Sequence, residues 1–219
     1  MKKIFFIILT TVTLHATVEA QNPSLFLRGN LSLGTNYTTL DYNGFDISYS
    51  PGGGFGLDIG LQTELTENLN LRASLGYQLV VALQAESVNG YTNSSSATFN
   101  RKVLGLGLVK GIELDSRSLT HFLIGGGLQY NAPGRLSRTE NTDSLGKISY
   151  KSSFGFYLEA GVAIRLSREM SLEPSLRYRS ISFSGEDYTG GSFESLPAEL
   201  QTLNASGIEL GFTLVKALK

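Results

Sequence analysis

The chain has 219 residues, 18 Lys and Arg against 19 Asp and Glu, 25 Gly, and neither Cys nor Trp. The near balance of charge argues against a nucleic-acid partner, which demands a basic face. The lack of cysteine excludes a disulfide framework, a thiolate metal site and a lipid-anchored N-terminal cysteine. Beyond the first twenty residues nothing approaches the ~20 consecutive apolar residues of a spanning helix, which excludes an α-helical membrane protein.

Lys2 and Lys3 precede the apolar run Ile4 to Leu9, which continues through Val12 and Leu14, and Val18-Glu19-Ala20 places small or apolar residues at the minus-three and minus-one positions of a cleavage site. This is the organisation of a secretory signal peptide, not of a membrane span. The sequence therefore predicts removal of residues 1–20 after Sec-type export, leaving residues 21–219 as one domain with 16 basic and 18 acidic side chains.

From there apolar and polar residues alternate with a period of two, the signature of strands with one apolar face. The first predicted strand, Leu25 to Tyr37, turns Leu25, Leu27, Leu31 and Leu33 one way and Arg28, Asn30 and Ser32 the other. The second, Phe55 to Leu65, opposes Phe55, Leu57, Ile59 and Leu61 to Asp58, Gln62 and Glu64. The third, Leu69 to Gln84, alternates over sixteen residues, about twice the length of a typical soluble strand. Lipid on one face explains that length better than a soluble core, leaving a periplasmic β-sandwich as the weaker reading.

The fourth strand, Phe99 to Leu114, turns Leu104, Leu106, Leu108 and Ile112 outward over Gly105, Gly107 and Glu113. The fifth, Leu119 to Tyr130, opposes Phe122, Ile124 and Leu128 to His121, Gly125, Gly127 and Gln129. The sixth, Tyr150 to Leu166, sets Phe154, Phe156, Leu158, Val162 and Ile164 against Ser153, Tyr157, Glu159 and Arg165. In the seventh, Met170 to Phe183, Leu172, Leu176 and Tyr178 oppose Glu173, Arg177 and Arg179. The eighth, Ser206 to Leu218, sets Ile208, Leu210, Phe212 and Leu214 against Glu209, Gly211 and Thr213.

Connections alternate between short and long. Thr66-Glu67-Asn68, Ser116-Arg117-Ser118 and Ser167-Arg168-Glu169 are the short ones, and in each the flanking strands share odd or even parity, so a three-residue loop keeps the apolar faces in register. The long ones, about residues 38–54, 85–98, 131–149 and 184–205, are rich in Ser, Thr, Asn, Gly or acidic residues. Asn43-Gly44 and Asn89-Gly90 are hairpin-tip dipeptides, predicting a wall that rises above the membrane. The second extends with its parity intact; the first requires a bulge near Gly52-Gly53-Gly54. That register sets Lys110, a charge on the apolar face, opposite Leu69 beside a short turn, where it can snorkel to the interface.

The fold predicted is all-β: an eight-stranded antiparallel up-and-down transmembrane β-barrel with short periplasmic turns and longer extracellular loops. Tyr37, Tyr77, Tyr130, Tyr150 and Tyr178 fall toward the extracellular strand ends and suit an aromatic girdle. With these segments in place, the chain resembles the small eight-stranded outer-membrane barrels typified by outer-membrane protein X and the membrane domain of outer-membrane protein A, and most of all the compact porin-like barrel domains of Bacteroidota. Gly54-Phe55-Gly56-Leu57-Asp58-Ile59-Gly60-Leu61 leading into Asn68-Leu69-Asn70-Leu71-Arg72 resembles that group's second hairpin, and Asn204 to Leu218, with Gly207 and Gly211, its closing strand. The resemblance implies the outer membrane of a Gram-negative bacterium, contact with outer-membrane lipid and lipopolysaccharide, passage through the assembly machinery, and a monomer. The ending Leu218-Lys219 departs from the aromatic last residue usual in such barrels.

Arg28, Asp58, Glu64, Arg72, Glu113, Glu159, Arg165, Glu173, Arg177, Arg179 and Glu209 all fall on the inward parity. The interior of an eight-stranded barrel is about wide enough to be filled by side chains, so these charges are expected to pair into a network that plugs the lumen, with Glu159, Glu173, Arg177 and Glu209 at its centre. A narrow ion path lined by the same charges is the alternative. No catalytic, metal or cofactor site is expected. A serine hydrolase acting on lipid would need a His beside a Ser near the outer leaflet, whereas His121 stands next to a periplasmic turn. Glu186, Asp187, Glu194 and Glu199 form an acidic fourth loop, in which Ser195 to Leu200 is predicted to make a helical turn folding over the mouth. Function is then expected in the loops, through envelope integrity or contact with a surface ligand or protein.

Overall fold

A computed structural model describes residues 21–218 except 43–44, 89–90, 114–119 and 141–142. The predicted signal peptide, both Asn-Gly tips and the Ser116-Arg117-Ser118 turn lie outside the described residues. In chain order the strands are β1 (Gln21–Gly34), β2 (Thr38–Tyr42), β3 (Phe45–Tyr49), β4 (Gly54–Thr66), β5 (Leu69–Val88), β6 (Tyr91–Glu113) and β7 (Thr120–Asn131). They continue with β8 (Arg135–Glu140), β9 (Asp143–Tyr150), β10 (Ser153–Arg165), β11 (Met170–Tyr188), β12 (Thr202–Asn204) and β13 (Gly207–Ala217).

Eight of these close a ring. β1 pairs with β4, and antiparallel pairing runs on through β5, β6, β7, β10 and β11 to β13, which returns to β1. No ring edge is left open, so the strands of the ring satisfy one another's backbone groups, the condition for crossing hydrocarbon with strands. The alternation read from the sequence then sorts the side chains. Leu27, Leu57, Leu75, Leu108, Ile124, Leu158, Leu176 and Leu210, one from each ring strand, are exposed on the outside, while Arg28, Arg72, Glu159, Glu173 and Glu209 are buried within. An apolar belt encircling the whole molecule is untenable in water and fits a bilayer.

On β6 the outward residues Leu104, Leu106 and Leu108 lie between Lys102 and Lys110. The two lysines are eight residues apart, about 27 Å along a strand, or about 21 Å along the membrane normal at a tilt of about 40°. They bracket the belt, and Lys110 does stand opposite Leu69.

At the short end, Thr66 pairs with Leu69 and Asn68 adopts a left-handed φ of 62°, a conformation Asn tolerates better than most residues. A shift between Glu64 and Thr66 adds the residue that keeps both outward faces odd-numbered. At the long end the β5–β6 hairpin extends in the register expected from Asn89-Gly90, pairing without interruption from Leu69↔Lys110 up to Val88↔Tyr91, so that β6 begins at Tyr91 and not at Phe99. Residues 131–149 are not an open loop: β8 and β9 form a hairpin seated between β6 and β11 above the ends of β7 and β10. The predicted sixth strand accordingly starts at Ser153, with Tyr150 belonging to β9. β2 and β3 form their own two-stranded sheet and do not extend the wall. The bulge expected at Gly52–Gly54 is a turn, closed by Gly53 N donating to Ser50 O and ending on Gly54 at φ 99°. Glycine is needed there, since a Cβ on Gly52 would meet Ser206 O at 1.9 Å.

Above the belt the barrel carries a small apolar core. Tyr49, Phe99, Leu136, Ile148, Tyr150, Phe183, Leu200 and Leu203 cluster with negligible exposure. Phe99 meets Tyr150 and Phe183 edge to face at 5.9 and 5.5 Å. The segment after β11 supplies one side of it, through a single 3-10 turn at Phe193–Ser195, the one-turn helix α1 (Ala198–Gln201) and β12, which pairs with β11.

Leu158 faces outward at mid-strand, so Leu158→Arg places a charge in the belt and is expected to cost about 2–4 kcal/mol of folding stability in bilayers. Lys102→Leu, at the edge of the belt, should change it by less than about 1 kcal/mol. Urea titration of refolding into vesicles, read by the shift in midpoint, measures both.

Candidate functional site: the barrel lumen

The inward parity brings side chains from all eight ring strands into one narrow column with three zones. The middle zone is ionic. Arg28 Nη1 donates to Glu209 Oε2 at 2.9 Å and lies 3.5 Å from Asp58 Oδ2. Arg177 grips Glu159 Oε2 with both Nε and Nη2, at 2.9 and 2.5 Å, and stacks on the Tyr157 ring at 4.1 Å. Arg72 donates to Glu173 at 2.5 Å and to Gln62 at 2.8 Å, with Glu159 3.7 Å away. Arg179 donates to Glu209 and, at 3.0 Å, to the carbonyl of Gly52.

Glu209 is the hub, since Arg28, Arg177 and Arg179 all lie within ion-pairing reach of its carboxylate. Closure of the ring makes this possible: Arg28 and Glu209 are 181 residues apart in sequence yet meet because β1 pairs with β13. Water barely reaches these groups, so each charge depends on its partners for the solvation it has lost.

The upper zone is apolar. Directly above the ionic layer lie Gln78, which accepts from Arg101 and Arg179 at 2.5 Å each, and then the core of Phe99, Phe183, Leu200 and Leu203. Tyr150 Oη donates to Leu200 O at 2.8 Å, which ties α1 into the mouth. Burial pushes the Tyr150 hydroxyl pKa up, so it serves as a neutral donor. The lower zone is an open vestibule of about 290 Å³ on the side of the short turns, lined by Gln62, Glu64, Asn70, His121, Arg165 and Glu173 among others.

Of the eleven charges the sequence turned inward, Arg28, Asp58, Arg72, Glu159, Glu173, Arg177, Arg179 and Glu209 join this network. Glu64 and Arg165 instead line the vestibule, and Glu113 is exposed beside it, paired by register with His121. These three sit too near the strand ends to be enclosed. Arg101 and Gln78 were missed, although Arg101 shares odd parity with Gly105 and Gly107 and the signal was present. Arg101 is fully buried, makes no ion pair among the described residues, and leaves Nε and Nη1 without a protein partner.

Among the tyrosines, Tyr77 and Tyr178 are exposed on the outer wall, and Tyr130 faces outward with its ring 5.1 Å from that of Phe154. Tyr37 is exposed beyond the end of β1. Tyr150 is no girdle residue: β9 turns it into the extracellular core, where it is fully buried. Half-buried His121 hydrogen-bonds no serine hydroxyl among the described residues, and no group of three or more metal-ligating side chains occurs among them.

A closed eight-stranded barrel with an exposed apolar belt, short turns at one end and a built-up cap at the other defines a small outer-membrane barrel protein. The chain belongs to the outer membrane protein beta-barrel domain family, whose profile matches residues 8–213. Solved structures show the same fold at low identity. A major outer membrane protein from Thermus thermophilus is 16% identical, with a TM-score of 0.54 over 90% of this chain and 99% of that one. Neisserial surface protein A is 11% identical at 0.51 over 90% and 97%. OprG of Pseudomonas aeruginosa is 10% identical at 0.51 over 91% and 97%. No curated protein matches the chain in sequence.

Glu209→Gln strips three arginines of a shared counter-charge and is expected to destabilise the barrel by about 3–5 kcal/mol. Arg101→Gln removes a cation that has no carboxylate partner and should be neutral or stabilising. Paired urea unfolding curves in detergent check the opposite signs.

Proposed function

We propose that this chain is a non-enzymatic outer-membrane barrel with a closed lumen, a rigid post that presents its extracellular cap to the cell's surroundings. The observation that carries this reading is a buried ion-pair layer across the middle of the bore with a cluster of buried apolar side chains above it. Either barrier alone opposes ion passage, the first by filling the bore with paired side chains and the second by excluding water.

The extracellular elements support the second half of the reading. The β5–β6 and β8–β9 hairpins and the segment 193–204 are knitted into one packed unit, not left as separate loops. Rigid scaffolds with built-up loops are where binding function concentrates. Contact with a surface ligand, a neighbouring protein or lipopolysaccharide, and a contribution to envelope integrity, follow from that arrangement. The protein is taken to work as a monomer after assembly by the outer-membrane machinery.

Planar-bilayer recording of the refolded mature protein, with folding verified by a heat-dependent gel shift, is expected to show no steady conductance. Ion-selective steps that change in Arg177→Gln would replace this reading with a pore. In cells, His121→Ala should leave lipid A and phospholipid composition unaltered, and a changed lipid profile would reopen the enzymatic alternative.

A further inference from the structure

We infer that the wall has a built-in point of opening, the seam between β10 and β11 at Pro174, and that local opening there joins the periplasmic vestibule to the lipid beside it. This goes beyond the closed-lumen reading and does not depend on it, because the seam flanks the vestibule and leaves the bore above untouched.

β10 and β11 keep one register throughout, from Gly155↔Ile181 to Gly161↔Ser175 and again at Ile164↔Leu172 and Arg165↔Ser171, yet the rungs between, at Val162 and Ala163, are missing. On its other side β11 is unbroken: Glu173 pairs with Thr213, Pro174 with Phe212 and Ser175 with Gly211. β10 is likewise unbroken against β7, through Val162↔Phe122 and Ala163↔His121. The other irregularities of the ring among the described residues, between Gln21 and Ser24 and between Glu64 and Thr66, are register shifts at strand ends. Proline explains the lapse at mid-wall. Pro174 has no N–H to give, and its carbonyl points toward β10, since a Cβ on Gly161 would stand 2.6 Å from Pro174 O. In an antiparallel ladder a residue exchanges both its bonds with the same neighbour. The bond that is lost is therefore the one Val162 O would have accepted.

A closed barrel has no edge strand, and proline is otherwise confined to sheet edges, strand starts and bulges. Its setting gives this one a consequence. Outside, the seam faces lipid: Phe122 and Phe212, the neighbours of Val162 and Pro174 on β7 and β13, are both exposed. Inside, Ala163 and Glu173, the residues of one missing rung, line the vestibule. Ser175 Oγ and Thr213 Oγ1, buried on the inner face beside Glu173, have no protein partner. A carbonyl without a donor is costly against hydrocarbon, whereas water from the vestibule can satisfy it, and the two hydroxyls with it, once the strands part. Parting is thus easier at this seam than where the ladder is complete.

Amide hydrogen exchange of the mature protein in phospholipid nanodiscs, resolved residue by residue, tests the assignment. The amides of Val162, Ile164 and Leu172 are expected to exchange about tenfold faster than those of Ile112 and Phe122, which pair at the same end of the β6–β7 seam. Pro174→Val supplies the missing donor and should slow the three to the rate of those controls. The chain has no cysteine, so Ala163→Cys introduces a single thiol. A maleimide carried on a phospholipid acyl chain should label that thiol about tenfold faster with Pro174 in place than with Pro174→Val, each rate being normalised to that of a water-soluble maleimide entering by the vestibule. Exchange at Val162, Ile164 and Leu172 as slow as in the controls, rates unchanged by Pro174→Val, or equal labelling from lipid in both backgrounds overturns the proposal. A heat-dependent gel shift for every variant separates a change in the seam from loss of the fold.

Discussion

Hydrocarbon offers a strand no hydrogen-bond partner, and nearly everything in this structure descends from that constraint. A sheet exposed to lipid has to close so that no edge is left. Here β13 meets β1 to complete a ring of eight. Closure at eight strands makes the interior narrow enough for side chains to fill. Filling it with charge is stable only if the charges meet, and the ring supplies the meetings: Arg28 with Glu209, Arg72 with Glu173, Arg177 with Glu159. The apolar exterior and the ionic interior are two faces of one alternating pattern, inverted relative to a soluble barrel because the surrounding solvent is inverted.

The wall does not end where the membrane ends. β5, β6 and β11 run on past the belt, and once out of lipid the requirement on the inner face changes from paired charge to packed hydrocarbon. The inward parity obeys this: on β6 it runs from Val109, Gly107 and Gly105 through Arg101 to Phe99 and Ala97. On β11 it runs from Glu173 through Arg177 and Arg179 to Ile181 and Phe183. β11 thus contributes to both the ionic layer and the apolar cap, while β6 supplies the cap and the boundary residue Arg101. The arginines at the boundary, Arg101 and Arg179, share Gln78 as a polar joint between the zones. Coupling of this kind gives the cap a rigid seat and explains why the extracellular elements pack as one unit.

The vestibule beneath is the region least constrained by either demand. It opens among the short turns, reaches Glu173 at its inner end and holds Glu64, His121 and Arg165 with solvent access. Charges there need no partner, which is why three of the residues that parity assigned to the network stand outside it. Distance from the strand ends, which parity does not encode, separates a lumen charge that must be paired from one that water can solvate.

The sequence by itself determined which residues face lipid, because side chains alternate with a period of two and one face is apolar over every ring strand. It determined the register of the hairpins too, through parity across the short turns and across Asn89-Gly90, and so placed Lys110 opposite Leu69. The helical turn at the mouth was legible in Ser195 to Leu200, where apolar and acidic residues follow a loop. Only the tertiary structure decided which charge meets which, since pairing across 181 or 101 residues depends on strand order, closure and stagger, not on local pattern. It alone revealed that residues 131–149 fold into the β8–β9 hairpin and turn Tyr150 inward. A polar, Gly-containing segment reads as a loop until a neighbouring strand edge, here β6 on one side and β11 on the other, offers the hydrogen bonds that make it a sheet.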